Sequence, residues 1–213
     1  MSDRRQRLNN SSLYLVCDQR PDEFLHGALS GGVDIVQLRI KEPVADEHLV
    51  AVARRYARVC AAYTALLILN DRPDLVVAAG ADGVHVGQDD VPVAEARAAV
   101  GEDRLVGLST HSPEQVDAAA HVGVDYIGVG PVNATPTKPG RPAVGLDLVR
   151  YAAEHATVPF FAIGGIDQAC VAEVARAGGA RVAVVRALTE ASDPEGASRR
   201  LRAGLQEVSL GAA

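Results

Sequence analysis

Four short segments of this chain repeat one pattern: Gly32-Val33-Asp34-Ile35-Val36, Gly80-Ala81-Asp82-Gly83-Val84, Gly123-Val124-Asp125-Tyr126-Ile127 and Gly179-Ala180-Arg181-Val182-Ala183. Each begins with a glycine that can end a helix and enters an apolar run through a polar residue. Between consecutive echoes lies room for two strand–helix modules, so the echoes mark strands two, four, six and eight of a regular series. The aliphatic runs bear this out: 13–17, 34–38, 66–70, 83–86, 105–108, 126–129, 160–163 and 181–185. Alternating with them are Ala-rich amphipathic stretches at 22–30, 46–63, 72–79, 93–100, 113–122, 146–155, 167–177 and 194–206. Several open on a cap or first-turn signal, such as Pro21-Asp22 and Ser112-Pro113-Glu114. Eight βα units of even spacing predict a single-domain (β/α)8 TIM barrel at the compact end of its range. A doubly wound open sheet would not require that spacing.

Composition narrows the reading. The chain has 213 residues and no Trp, with only five Tyr and three Phe. Its core must therefore be built from Val, Ala, Leu and Ile, as suits parallel strands buried under helices. A net charge of −6 without a basic block argues against a nucleic-acid or anionic-membrane surface. Cys17, Cys60 and Cys170 are odd in number and far apart, forming neither a metal pattern nor a disulfide framework. That usage fits a reducing cytoplasm, and no apolar run is long enough to span a membrane. Residues 1–12, with Asp3-Arg4-Arg5-Gln6-Arg7, read as a polar, poorly ordered arm; 13–207 is the barrel and 208–213 a tail. The longest irregular stretch, 132–143, reads as a functional loop.

In such a barrel the chemistry sits where the strands end. Strand two delivers Gln37, Arg39 and Lys41 at alternate positions, hence on one side of an extended chain. Strand three ends at Asn70-Asp71, and strand four leads into Gly87-Gln88-Asp89-Asp90. Strand five ends at Ser109-Thr110-His111, and strand six leads to Thr135, Thr137 and Lys138. Strands seven and eight end at Gly164-Gly165 and Val185-Arg186. Lys41 and Lys138 are the only two lysines against nineteen arginines. Both fall in these polar clusters, where a compact ammonium suits a phosphate oxygen.

Asp71 and Asp90 are hard oxygen ligands from adjacent strands, the set a Mg2+ held mostly by water and phosphate requires; the plainer alternative is that both cap helices. Arg39, Lys41, Asn70 and Lys138 are donors for phosphate oxygens, with surface ion pairing as the alternative. Gly164-Gly165, before a helix expected to start near Asp167, leaves bare N–H groups for a second anion, together with the Val185-Arg186 turn. Cys17 reads as a small core hydrophobe rather than a nucleophile. His85 reads as an inward-packing or orienting group, and His111 as more open to the site.

These motifs, in this order along nearly the whole chain, resemble the thiamine phosphate synthase family. The resemblance implies a (β/α)8 enzyme that joins hydroxymethylpyrimidine pyrophosphate to thiazole phosphate and releases pyrophosphate. It implies that Gln37, Arg39, Lys41, Asn70, Ser109 and Lys138 hold the pyrimidine pyrophosphate, with Arg39, Lys41, Ser109 and Lys138 in the catalytic set. Asp71 and Asp90 would hold the Mg2+, and Thr135, Thr137, Gly165, Val185 and Arg186 the thiazole phosphate. Arg186 stands where many members carry Ser, which leaves its side-chain role open.

Two phosphorylated substrates need two anion sites, and the strand ends offer two. The family chemistry is dissociative, so stabilising the leaving group and positioning the nucleophile matter more than a general base. The rival readings are a thiazole tautomerase paralogue, which needs an acid–base residue such as His111, and a non-catalytic phosphate-ligand sensor on the same fold. The expected partners are the two small substrates, without nucleic acid or membrane, in a monomer or homo-oligomer.

Overall fold

A computed structural model describes residues 3–134 and 142–210. Eight parallel strands close into a barrel in chain order. They are β1 (Leu13–Cys17), β2 (Ile35–Leu38), β3 (Leu66–Asn70), β4 (Gly83–Val86), β5 (Leu105–Thr110), β6 (Tyr126–Val129), β7 (Phe160–Ile163) and β8 (Val182–Val184). Closure comes from β1 pairing with β8, Leu13 opposite Val182. The surrounding helices are α1 (Asp3–Asn10), α2 (Asp22–Ser30), α3 (Asp46–Ala62), α4 (Val76–Ala79), α5 (Val93–Val100), α6 (Pro113–Ala119), α7 (Gly145–His155), α8 (Val171–Arg176), α9 (Arg186–Thr189) and α10 (Pro194–Leu210). No helix among the described residues is long and apolar enough to cross a membrane.

The strands read as unbroken apolar runs because alternate residues serve two cores. Leu13, Leu15, Val36, Leu38, Leu67 and Leu69 face outward under the helices. Tyr14, Val16, Ile35, Leu66, Ile68, Leu105, Tyr126 and Phe161 fill the barrel. Period-two side-chain alternation assigns one set to each face.

The polar residue of each echo turns out to be a clamp at the N-terminal edge of the barrel. Asp34 accepts from the backbone N–H groups of Ser12 and Leu13 at 2.8 and 3.0 Å, Asp82 from Leu67 at 3.0 Å, and Asp125 from Val106 at 2.8 Å. Each carboxylate thereby ties an even strand to the odd strand before it. Each is also paired with arginine: Arg202 with Asp34 at 2.9 Å, Arg4 with Asp82 at 2.9 Å, Arg5 and Arg97 with Asp125 at 2.6 and 2.5 Å. In the fourth echo Arg181 replaces aspartate, and its guanidinium donates to the Asn9 carbonyl at 3.1 Å.

Those contacts overturn the expectation of a loose arm for residues 3–12, the part of the expected 1–12 arm that lies within the described residues. Residues Asp3–Asn10 form α1, which closes the floor of the barrel. Arg4 and Arg5 anchor it to Asp82 and Asp125, Arg7 donates to the Thr64 and Ala65 carbonyls, and Leu8 is buried in the inner core. Likewise α10 runs on to Leu210, so the expected boundary at 207 falls inside a helix.

Asp125→Ala is expected to remove the best-buried of these clamps, since that side chain is only 7% exposed. Two guanidinium groups and one strand N–H would lose their acceptor, at a cost of about 3–5 kcal/mol. In a thermal melt this should lower Tm by on the order of 10 °C; an unchanged Tm would show that the clamp adds nothing.

Candidate active site

A cavity of about 300 Å3 opens at the C-terminal end of the barrel. Its floor is aromatic. Tyr14, Tyr126 and Phe161 meet with ring centroids 5.3–6.0 Å apart, the two tyrosines each edge-on to Phe161. Gly107 makes this packing possible: a Cβ there would stand 2.2 Å from the Tyr126 ring and 2.6 Å from His85 Nδ1. Phase along the sequence had not marked these three aromatics, which look like ordinary strand residues. The available signal was scarcity, because they are three of only eight Tyr and Phe in the chain.

Above this floor polar side chains converge among apolar ones. Gln37, Arg39, Asn70, Ser109, Gly165, Val185 and Arg186, all expected from the sequence, line the one cavity, as do His85 and His111. An adjoining hollow of about 540 Å3 is lined by Arg39, Lys41, Val185 and Arg186, together with Asp18 and Arg20. Strand β2 ends at Leu38, so Lys41 does not continue the inward series of Gln37; it is exposed at the rim of the second hollow. Arg39 and Arg186 line both hollows, and among the described residues neither guanidinium is used in an internal ion pair. Thr135, Thr137 and Lys138 lie outside the described residues.

The two expected carboxylates flank the tip of β4. The Asp71 N–H donates to the His85 carbonyl at 2.9 Å, which holds the end of β3 against β4. Asp71 has φ +58°, a left-handed conformation that Asp tolerates better than most residues, and its carboxylate accepts from the Asn70 amide at 2.5 Å. Asp90 folds back so that its carboxylate accepts from Gly87 N–H at 2.9 Å; a Cβ at Gly87 would stand 2.6 Å from that oxygen. Among the described residues no group of three or more His, Cys, Asp or Glu could hold a metal ion. Neither Asp71 nor Asp90 lines either hollow; the half-buried Asp71 and exposed Asp90 carboxylates are hard oxygen donors of the kind that Mg2+ takes while it keeps several waters.

The Gly164-Gly165 turn, expected to receive a second anion, differs in detail from that expectation. Gly164 and Gly165 have φ of +107° and +59°, and a Cβ on Gly164 would lie 2.5 Å from Pro131 Cα. The following helix starts at Val171, not Asp167; Asp167 instead accepts from the N–H groups of Ala169 and Cys170 in a turn. Gly164 and Gly165 thus sit in a glycine turn rather than at a helix end. Beyond β8 the chain enters directly into α9, four residues that sequence patterning did not mark.

The remaining candidates sort clearly. Cys17 is 2% exposed and burial pushes its thiol up to about 12, so it is an inert core residue. His85 points into the barrel, with Nδ1 3.2 Å from the Tyr126 hydroxyl and Nε2 2.9 Å from Ser109 Oγ. His111 is held by its Nδ1 against the Gly130 carbonyl at 2.5 Å and by its backbone N–H to Gln115. Because a carbonyl only accepts, that contact puts the proton on Nδ1.

Comparison with known proteins identifies the family. The family model described as thiamine monophosphate synthase matches residues 13–188. The thiamine-phosphate synthase of Saccharopolyspora erythraea is 50% identical over 213 residues, covering 94% of this chain and 96% of that protein. The thiamine-phosphate synthase of Thermosynechococcus vestitus is 47% identical over 201 residues; the match takes in 93% of this chain but 57% of that longer protein. The solved structure of thiamine phosphate pyrophosphorylase from Pyrococcus furiosus superposes with a TM-score of 0.85 at 31% identity, covering 96% of this chain and 98% of that one. A barrel whose strand ends carry the ordered motifs, and whose sequence matches across almost its whole length, leaves one assignment: the chain belongs to the thiamine monophosphate synthase family.

Proposed function

We propose that this protein is a thiamine-phosphate synthase that couples hydroxymethylpyrimidine pyrophosphate with thiazole phosphate, giving thiamine phosphate and pyrophosphate. The observation that carries the reading is the pair of adjoining hollows, which share Arg39 and Arg186 as a common wall. A reaction that brings two anions together needs two anion subsites within bonding distance of one another, and a sensor of one phosphate ligand does not. Asp71 and Asp90 would hold a Mg2+, which supplies positive charge to the departing pyrophosphate.

The chain's own groups do the rest. Arg39 and Asn70 donate to the pyrophosphate from the cavity wall and Lys41 from the rim, with Lys138 completing the donor set. Ser109 and Gln37 orient the pyrimidine over the aromatic floor, which excludes water from the reacting carbon. Gly165, Val185 and Arg186, with Thr135 and Thr137, hold the thiazole phosphate so that its ring nitrogen faces that carbon. Charge stabilisation and alignment of this kind account for catalysis without a protein base. The three free cysteines support a reducing cytoplasmic setting.

The test is whether His111 matters more than the anion sites. Given both substrates and Mg2+, the purified protein should form thiamine phosphate, and His111→Ala should retain activity within about tenfold, since bond formation needs no imidazole base. Isomerisation of the thiazole alone, abolished by His111→Ala, would instead identify a tautomerase.

A further inference from the structure

A continuous chain of side-chain hydrogen bonds crosses the barrel interior from β2 to β5. Gln37 Nε2 lies 2.7 Å from the Tyr14 hydroxyl, which lies 3.0 Å from the Tyr126 hydroxyl. Tyr126 lies 3.2 Å from His85 Nδ1, and His85 Nε2 lies 2.9 Å from Ser109 Oγ. Tyr14, Tyr126 and Gln37 are 2%, 0% and 4% exposed, so no bulk water can substitute for a missing partner in the middle of the chain. Burial also pushes both phenols above their ordinary range, so each remains a neutral hydroxyl with one proton to give.

That one-proton rule makes the chain directional. If the Gln37 amide nitrogen donates to Tyr14, the Tyr14 proton must go to Tyr126 and the Tyr126 proton to His85 Nδ1. A neutral imidazole then carries its proton on Nε2 and gives it to Ser109, whose own proton is left to point into the cavity. Reversing the Gln37 amide reverses every bond. Tyr14 then donates to Gln37, His85 carries its proton on Nδ1, and Ser109 spends its proton on His85.

We infer that Gln37, Tyr14, Tyr126, His85 and Ser109 form a single two-state hydrogen-bond relay that sets opposite polarity at the two ligand-facing ends. In the first state Ser109 offers a donor and Gln37 an acceptor; in the second the offers are exchanged. A ligand read at one end therefore fixes what it meets at the other, and the site selects rings that match both ends over rings that match one. Tyr14, Tyr126 and His85 are positioning residues in this scheme, acting through Gln37 and Ser109. The selectivity consequence rests on the synthase reading of those two contacts, whereas the relay itself does not.

The test is the protonation pattern of His85 in the ligand-free protein, read from ring-nitrogen shifts in 15N-histidine-labelled samples. The wild type should show a neutral ring protonated on Nε2, the state in which the Gln37 amide donates. Gln37→Glu replaces that donor with a group that, once ionised, can only accept. As the new carboxyl loses its proton along a pH series, the His85 proton should move to Nδ1. The ratio of the two tautomers should change about tenfold or more, as one buried hydrogen bond would dictate. A purely structural role for the tyrosines would leave the tautomer where it was. Tyr14→Phe, which cuts the relay, should uncouple His85 from Gln37→Glu in the double variant. A His85 tautomer that stays the same in Gln37→Glu at every pH, or that still shifts in the Tyr14→Phe double variant, would overturn the inference. These shifts are read without substrate, so failure to make thiamine phosphate would refute the synthase reading and leave the relay standing.

Discussion

Asp71→Asn and Asp90→Asn are each expected to lower kcat/KM by about a thousandfold, which corresponds to roughly 4 kcal/mol of lost transition-state stabilisation. Both substitutions keep size and hydrogen-bonding shape while deleting the charge a hard dication needs. They should also spare the fold. Asp90 is exposed, and its contact with Gly87 N–H can be kept by an amide oxygen. Asp71 contacts the Asn70 amide and is anchored mainly through its backbone N–H to His85. Melting curves within a few degrees of the parent, together with collapsed turnover at millimolar Mg2+, are the expected pair of results. Full turnover with an unchanged Mg2+ requirement would remove both residues from the metal site.

Arg39→Ala should be nearly as damaging, by about a hundredfold or more in kcat/KM. Its guanidinium lines both hollows without an internal ion pair among the described residues, so it is available to a ligand. One charge-assisted hydrogen bond is worth roughly 1.5–3 kcal/mol, and a planar fork can make two. Arg39→Lys should recover only part of the loss, since an ammonium keeps the charge but not the fork. The loss should appear mainly with the pyrimidine pyrophosphate as the varied substrate. A defect confined to the KM for thiazole phosphate would shift Arg39 to the other subsite.

The barrel was legible because its repeated features repeat for one reason. Asp34, Asp82 and Asp125 recur at the same place in three of the four echoes because each performs the same task, fastening a strand to the one before it and holding an arginine. The strand-end polar residues were legible because barrel topology brings strand ends together whatever their separation in sequence. Helix α1 was not, because the partners that order it are remote. Arg5 meets Asp125 across 120 positions, and nothing local distinguishes a plug from a loose basic arm. Helix α9 was missed for the opposite reason: its four residues are too few to show a period. Lys41 lines the adjoining hollow and not the first cavity because β2 stops at Leu38, beyond which strand alternation no longer sets side-chain direction. The aromatic floor and the hydrogen-bond relay depend on which face of a strand turns inward. The sequence pattern cannot assign that when both faces are buried.

One barrel mouth is expected to hold two phosphorylated substrates and a Mg2+ while a carbon–nitrogen bond forms between them. Quantifying thiamine phosphate and pyrophosphate together, with both substrates present and Mg2+ either supplied or chelated, tests it most directly. The expected result is one pyrophosphate for each thiamine phosphate, no pyrophosphate when thiazole phosphate is withheld, and neither product after chelation. Pyrophosphate released without coupling, or undiminished coupling in the presence of chelator, would contradict it.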